Sequence, residues 1–545
     1  MMIRKNNAQA DPRVLCVDAS ESDRERMSTW QLAIILGCVG IGLFLSLMDA
    51  TVVATMLLDI TSDLGGFQKS QWVVLSYTLL DGGLAVFLAR LSDIVGRKVV
   101  ICASLAIFLA GSMACGASRT LNQLIGFRAL QGAGAAGLYA TSLVVYLEMA
   151  PPRHIILMFA VVGGIVALAG VAGPIVGGLL ATHVNWRFAF WINGPCAFVA
   201  LLLLMLLWRE NDAHKSPRAN LSICNLDFIG AILILAGVTL PIFIASQASA
   251  GVYAWSSPTT ISVLVVSVVM WICLIAWQRY ISKTPRFANM FPQLPWEVLS
   301  NRILLAALID TILASHVLFV AIFHIPIRAQ ITELYDAVQS GLLLLPLLGS
   351  SAVGAASAGI ISHRKNFTFW VMGMSSILMI VASVLLSQLP ESTSSLPAQR
   401  GYLAILGLGA GMNIATTTLL AALHSEIENH AVAQGIIAQM RIAGGTIGVA
   451  ISFIVLHVRV THELQGDFTP AQLRDFYQSP LSTSSFTVSQ LLLARRAYIA
   501  AFTDIMRVSI GISGACFLAS LFVWQKQPAS IQKKLEDMEA YFGTR

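Results

Sequence analysis

The sequence predicts an all-α polytopic membrane protein with fourteen spanning helices. Three observations carry that reading. Of 545 residues, 56% are hydrophobic and only 11% charged, against about 25% charged in soluble domains. Fourteen mostly apolar stretches reach the roughly 20 residues a helix needs to cross a bilayer; they lie at 32–57, 71–89, 99–117, 122–147, 156–181, 189–208, 227–247, 260–278, 303–325, 337–360, 367–388, 401–422, 434–457 and 498–524. With the N-terminus placed in the cytosol, 22 of the 34 Lys and Arg residues fall in cytosolic segments and 9 in outer ones, and Arg128, Arg441 and Arg507 lie within helices. That asymmetry satisfies the positive-inside rule with both termini cytosolic.

In chain order, residues 1–30 form a polar cytosolic segment of mixed charge. The first apolar run is too long for the core of a cleaved signal peptide and reads as a retained span. Two prolines in "EMAPPRH" break the fourth stretch from the fifth. The longest non-membrane segments, this N-terminus and the outer loop 458–497, are too short to build a sizeable core of their own; "TPAQLRDFYQS" in that loop places Leu473, Phe476 and Tyr477 on one side of a short amphipathic helix, and residues 525–545 form a cytosolic tail. The net charge of +6 is spread over loops rather than gathered in a patch, so no nucleic-acid partner is expected. Eight cysteines stand singly and ten histidines are dispersed. Neither a disulfide framework, a metal site nor a catalytic cluster is indicated, and no glycine-rich phosphate loop points to a nucleotide.

The chemistry rests on a few polar residues inside apolar runs. Asp49, in "LSLMDATVVAT", and Arg128, in "RALQGAGAAG", lie about 12 Å and 9 Å below the same surface at 1.5 Å per residue, so the two are matched in depth. Buried charges find partners or water. "ARLSDIVGRKVV" holds Asp93, Gly96, Arg97 and Lys98 in a tight charged turn between the second and third spans. In the fifth span, Gly170, Gly173, Pro174, Gly177 and Gly178 form a thin face with a proline that removes one backbone hydrogen bond. Asp81, Gln131, Asn193 and Arg441 are candidates for the wall of a cavity. Asp310 is expected to face a watery vestibule, His316 and His324 to be core or rim histidines, and Asp504 and Arg507, three apart, to neutralise each other.

These motifs resemble those of the major facilitator superfamily. "ARLSDIVGRK" is similar to its loop signature G-x-L-x-D-x-x-G-R-K, with Ala89 in place of glycine. "GVAGPIVGG" resembles the antiporter motif of drug exporters, and "NWRFAFWINGP" follows in order. "LMDATVVATMLLDI" resembles the first-helix motif of the fourteen-helix drug:proton antiporters at Asp49, Thr51 and Val53, while Ala54 and Leu58 depart from it. Ala54 and the long outer loop resemble fungal members. The likeness is strongest over residues 30–200, with "GYLAILGLGAGM" and "AQMRIAGGTIG" as later support.

The resemblance implies two six-helix bundles, 31–208 and 301–524, around a central cavity, joined through 209–300 by two linking helices. It implies export of a small organic molecule such as a drug, toxin or secondary metabolite, with no cofactor beyond the proton gradient. Asp49 and Arg128 would couple to protons, and Asp93, Gly96, Arg97 and Lys98 would form a cytosolic gate. In that scheme "AGIISHRKN", with His363, Arg364 and Lys365, is a degenerate second copy of the loop signature. The expected setting is a monomer in the plasma membrane, with the vacuolar membrane as the alternative. Import, or vacuolar transport of basic amino acids, siderophores or other nutrients, is the alternative function.

Overall fold

The computed structural model describes residues 28–149, 155–208, 223–249, 252–287, 290–362, 365–389, 396–425, 430–465 and 487–530, with Phe468, Gln472 and Lys534. Its spans are the helices Thr29–Leu64, Gln71–Val95, Arg97–Gly116, Leu121–Met149, Ile155–His183, Arg187–Trp191 continued by Asn193–Leu207, Phe228–Ser249, Pro258–Lys283, Arg302–Thr332, Ala337–Leu342 continued by Leu345–Ser362, Thr368–Ser387, Leu396–His424, His430–Leu464 and Val488–Leu521. They are called the first to fourteenth spans below. Thirteen are long and apolar enough to cross a membrane on composition alone. The fourth, 29 residues long, is diluted by Asn122, Gln123, Arg128, Gln131 and its glycines, because much of it faces other helices.

Helices outrun the apolar windows wherever polar ends continue a turn into water. The clearest correction concerns the outer loop expected over 458–497: helix continues to Leu464 and resumes at Val488. Arg495 and Arg496 had ended the apolar window, but they interrupt hydropathy without interrupting backbone hydrogen bonding. The amphipathic segment around Leu473, most of "EMAPPRH", the His363–Arg364 pair and residues 1–27 lie outside the described residues.

The packing repeats. In the first half the first span packs against the fourth, fifth and sixth, the second against the fourth, and the third against the fourth and sixth. The second half repeats all six pairings: ninth with twelfth, thirteenth and fourteenth, tenth with twelfth, eleventh with twelfth and fourteenth. Glycines make the tightest of these approaches. A Cβ added at Gly407 or Gly411 would stand 2.0 or 1.8 Å from the backbone oxygens of Leu347 or Ser351, which is why "GLGAG" allows the tenth and twelfth spans to touch along their backbones. The seventh span lies against both the second and the thirteenth, and the eighth packs on the seventh. Ile261, Val265, Val268, Ile272 and Ile275 leave the outer side of the eighth exposed and apolar, as a lipid-facing helix requires.

The two halves meet most closely away from the face where the first span begins. Gln330 of the ninth span donates to the backbone oxygen of Thr55 at 2.9 Å. An added Cβ at Gly178 would lie 2.5 Å from the Ala337 oxygen, and one at Gly341 2.5 Å from the Pro174 oxygen. Toward the opposite face the fifth and tenth spans part. Gly163, Gly164 and Gly359 have nothing within 4 Å of an added Cβ, and Leu168, Val353 and Ile360 are exposed. The seam on this flank is therefore sealed at the distal face and open at the N-terminal one.

Candidate functional site

Asp49 sits at the junction of the first, fourth and sixth spans, completely buried. Arg128 donates from its Nη1 to Asp49 Oδ2 and to Gln131 Oε1 at 2.8 Å, and from Nε to the Val73 carbonyl at 3.1 Å. Gln131 and Asn193 each donate to Asp49 Oδ1 at 3.0 Å, and both also donate to Ser112 Oγ, at 3.1 and 3.0 Å. The Ser112 hydroxyl donates to the Phe190 carbonyl at 2.8 Å. The guanidinium lies 4.1 Å over the Tyr77 ring and 5.7 Å from the Phe190 ring, and the Tyr77 hydroxyl donates to Ser46 O at 2.7 Å. An ion pair this deep is tolerable only because further hydrogen bonds satisfy the remaining lone pairs and protons.

Depth matching thus located the pair. Gln131 and Asn193, expected on a cavity wall, are instead bound into the network with no solvent exposure. Ser112, Tyr77 and Phe190 had no sequence signal beyond lying in apolar spans.

Asp81 and Arg441 belong to a second polar group. Asp81 is 8% exposed and its Oδ1 has no hydrogen-bond partner, while Arg128 lies near enough to act on it electrostatically. Arg441, on the thirteenth span, donates from Nη2 to Ile414 O and Thr418 Oγ1 of the twelfth, both at 3.5 Å, and lies near enough to Tyr139 on the fourth to act on it electrostatically. Asp310 corrects the vestibule expectation. It is fully buried, held by Asn413 Nδ2 at 2.5 Å and the Cys516 thiol at 2.9 Å, donors from the twelfth and fourteenth spans that take the place of water. His316 and His324 are buried, and His324 shares a 2.8 Å hydrogen bond with Ser452. Asp504 and Arg507 pair at 3.0 Å, and Arg459 joins them at 3.4 Å.

The charged turn after the second span closes on its own half. Gly96 has φ of 108°, a conformation that only glycine adopts without strain. Arg97 pairs with Asp93 at 2.5 Å and makes a forked contact with Glu148, Nε at 3.0 Å and Nη2 at 2.7 Å. Lys98 donates to Met205 O at 3.4 Å. Sequence reading had not marked Glu148, which ties the end of the fourth span to this turn. At the distal face Arg328 and Glu333 pair at 3.5 Å; burial pushes the Glu333 carboxyl up, and Arg328 pulls it partly back.

The fifth-span motif lies against both neighbours that matter. Added Cβ atoms at Gly173 and Gly177 would stand 2.0 Å from Thr51 Oγ1 and 2.5 Å from Val52 O, on the helix that carries Asp49. Gly178 and the Pro174 carbonyl face the tenth span instead, and Gly170 makes only an ordinary 3.8 Å approach to Leu348. The helix runs unbroken through Pro174.

Two repeated six-span halves, a buried ion pair and one open face define a membrane transporter rather than an enzyme. Residues 39–449 match the Major Facilitator Superfamily, and the chain belongs to that family. It is 31% identical over 539 residues to the MFS-type transporter FPY5 of Fusarium mangiferae, covering 97% of this chain and 90% of the relative. Efflux pump FUS6 of Gibberella moniliformis is 28% identical across 85% of this chain and 80% of its own length. Multidrug resistance protein 3 of Bacillus subtilis (strain 168) is 28% identical across 80% and 81%. Among solved structures, a bacterial homolog of the human lysosomal transporter Spinster, inward-facing and unoccupied, superposes with a TM-score of 0.64 at 14% identity, over 92% of this chain and all of that one. As a family member the chain is a multi-pass membrane protein that takes small-molecule substrates.

Proposed function

We propose that the chain exports small, largely apolar organic molecules in exchange for protons by alternating access. The observation that carries this reading is the position of Asp49 on the span that forms the distal seam. Thr51, Val52 and Thr55, all within two turns of it, are the surfaces on which Gly173 and Gly177 rest, and Thr55 O is held by the ninth span. A proton on Asp49 removes its attraction for Arg128 and loosens three donors at once, so this part of the first span can shift against the fifth and release the seam.

The Lys and Arg asymmetry supports a cytosolic N-terminal face, which makes this conformation the one loaded from the cytosol. Asp81 and Arg441, on the second and thirteenth spans where the two halves meet, are the proposed cargo contacts. The turn of Asp93, Gly96, Arg97 and Lys98 is the proposed cytosolic gate, latched here within its own half. The efflux names among the relatives favour export over nutrient import. A proton falling through 100 mV and one pH unit releases about 2.3 plus 1.4 kcal/mol, enough for a several-hundredfold gradient of an electroneutrally exchanged solute. The expected setting is a monomer in the plasma membrane, with both termini cytosolic and the proton gradient as its energy source.

The test uses purified protein in liposomes with an imposed pH gradient and a cargo found by screening metabolites on the wild type. Asp49→Asn, which keeps shape but cannot release a proton, is expected to retain equilibrium binding and lose gradient-driven transport; Arg128→Ala is expected to lose it too. Full gradient-driven transport by Asp49→Asn refutes the reading.

A further inference from the structure

Of the three arginines that stand within apolar spans, two meet a carboxylate: Arg128 holds Asp49 and Arg507 holds Asp504. Arg441 does not. Among the described residues no carboxylate pairs with it, and its buried Nε has no hydrogen-bond partner. Its Nη2 makes only the two 3.5 Å contacts to Ile414 O and Thr418 Oγ1, and those two groups already serve each other, because the Thr418 hydroxyl donates to the Ile414 carbonyl at 2.7 Å. The group that acts on Arg441 from the other half is the Tyr139 phenol, which is uncharged.

These residues border open space. Arg441 lies about 16 Å and Tyr139 about 15 Å below the N-terminal face, counted along their helices. The fourth span nevertheless makes at most a marginal contact with the twelfth or the thirteenth. Arg441, Tyr139, Ile414 and Thr418 are accordingly part exposed, and so is Leu143, one turn beyond Tyr139.

A guanidinium in an apolar interior without a counter-charge is unfavourable. We propose, building on the reading of Arg441 as a cargo contact, that it seats a carboxylate of the cargo, so that the exported class is apolar monocarboxylates. Nε and Nη2 share one edge of a guanidinium. Elsewhere in this chain that edge grips both oxygens of a carboxylate, where Arg97 holds Glu148 through the same two atoms at 3.0 and 2.7 Å. At Arg441 one atom of the edge is unmet and the other is in contacts too long to hold it. The Tyr139 phenol can donate to the same anion, so a bound carboxylate ties the two halves across the opening. Asp81 also acts on Tyr139; it repels a second negative charge, which restricts the class to monoanions. Ile414 and Leu143 offer apolar surface to the rest of the molecule. An anion leaving an inside-negative cell moves in the same electrical sense as the entering proton.

The experiment is equilibrium binding by calorimetry in lipid nanodiscs, with empty discs subtracted and no pH gradient. Failure of proton-driven export would leave this result readable, and failure of binding would leave the transport test standing. The probes are 1-naphthaleneacetate and its neutral amide, 1-naphthaleneacetamide, at neutral pH, where the acid is ionised. Wild type is expected to bind the acetate about tenfold more tightly than the amide, or better. Arg441→Gln should weaken the acetate by about ten- to a hundredfold, the range for hydrogen bonds to a charged group, and leave the amide within about threefold. Arg441→Lys, which keeps the charge without the fork, should fall between. Tyr139→Phe should weaken the acetate about fivefold. Wild type that binds the acetate no more tightly than the amide overturns the proposal, as does acetate binding unchanged in Arg441→Gln. Equal loss of both probes in Arg441→Gln and Arg441→Lys also overturns it, because Arg441 would then serve the fold rather than recognition.

Discussion

Gly178→Ala separates the fold from the conformational equilibrium. The added methyl would lie 2.5 Å from the Ala337 oxygen and 2.8 Å from the Val338 Cα, backbone atoms of the tenth span that no side-chain rotation can move. Relieving that overlap requires the two helices to part by more than half an ångström, at a cost of about 1–3 kcal/mol. These contacts join the halves and disappear when the seam opens, so the cost falls on the distally closed state alone. The closed-to-open ratio should then fall by about 5- to 150-fold. Asp59 and Asp336 lie near enough across this seam to repel each other, which adds to the change rather than offsetting it. Nitroxide labels at the exposed Val184 and Gln339 would report the fifth-to-tenth-span distance by pulsed electron resonance. Gly178→Ala is expected to populate a longer distance with thermal stability close to that of wild type. Gly173→Ala, whose overlaps with Thr51 and Met48 lie within one half, should lower stability more than Gly178→Ala does. Gly163→Ala, with nothing within 4 Å, should do neither. An unchanged distance distribution in folded Gly178→Ala refutes the reasoning.

Asp227→Ala should lower stability by about 3 kcal/mol and speed hydrogen exchange in the eighth span. Asp227 accepts from Gly230 N, Trp277 Nε1, Gln278 Nε2 and Gln293 N at 2.7, 2.8, 2.7 and 3.2 Å, and so fastens both linking spans; unaltered exchange there would show it to be dispensable. Glu148→Gln should shift stability by less than about 1 kcal/mol, because Glu148 is half exposed and such pairs are worth little; a larger loss in thermal unfolding would contradict this. The sequons at Asn220 and Asn366 should stay unglycosylated in a eukaryotic host, since both are expected on the cytosolic side. A glycosidase-sensitive mass shift abolished by Asn366→Gln would invert the proposed orientation.

Spans and depths were legible because each depends on one dimension of the sequence. Counting apolar residues gives crossings, and counting residues from a surface gives depth, which sufficed to pair Asp49 with Arg128. Rotation about a helix axis was not legible. Spans apolar on every side give no preferred face, so nothing distinguished a Gln131 that lines a cavity from one that holds a carboxylate. Asn193 and Asp310 were misplaced for the same reason. Asp227 escaped notice because it stands at the start of a span, where a carboxylate capping helix N–H groups looks ordinary. Its ties to Trp277 and Gln278 come from a helix fifty residues later.

The repeated packing puts a buried carboxylate among the equivalent three spans of each half, at different depths: Asp49 among the first, fourth and sixth, past the middle of its helix, and Asp310 among the ninth, twelfth and fourteenth, near the start of its own. Their partners differ in kind. Among the described residues, Asp49 holds a guanidinium that has no other anion within reach of its hydrogen bonds, whereas Asp310 is met only by an amide and a thiol. Neutralising each in turn therefore tests whether charge or shape is what each junction requires. Asp49→Asn leaves a buried Arg128 with neutral acceptors, and breaking a buried pair from one side costs about 3–5 kcal/mol. Asp310→Asn orphans no charge. Its carbonyl can still accept from Asn413, and the Cys516 sulfur can take a weak hydrogen bond in return, so the change should stay within about 1 kcal/mol. Thermal unfolding of the two variants in the same lipid measures the difference directly. Equal destabilisation would mean that Asp310 is also held as an anion by its surroundings, and charge would then be what both sites require.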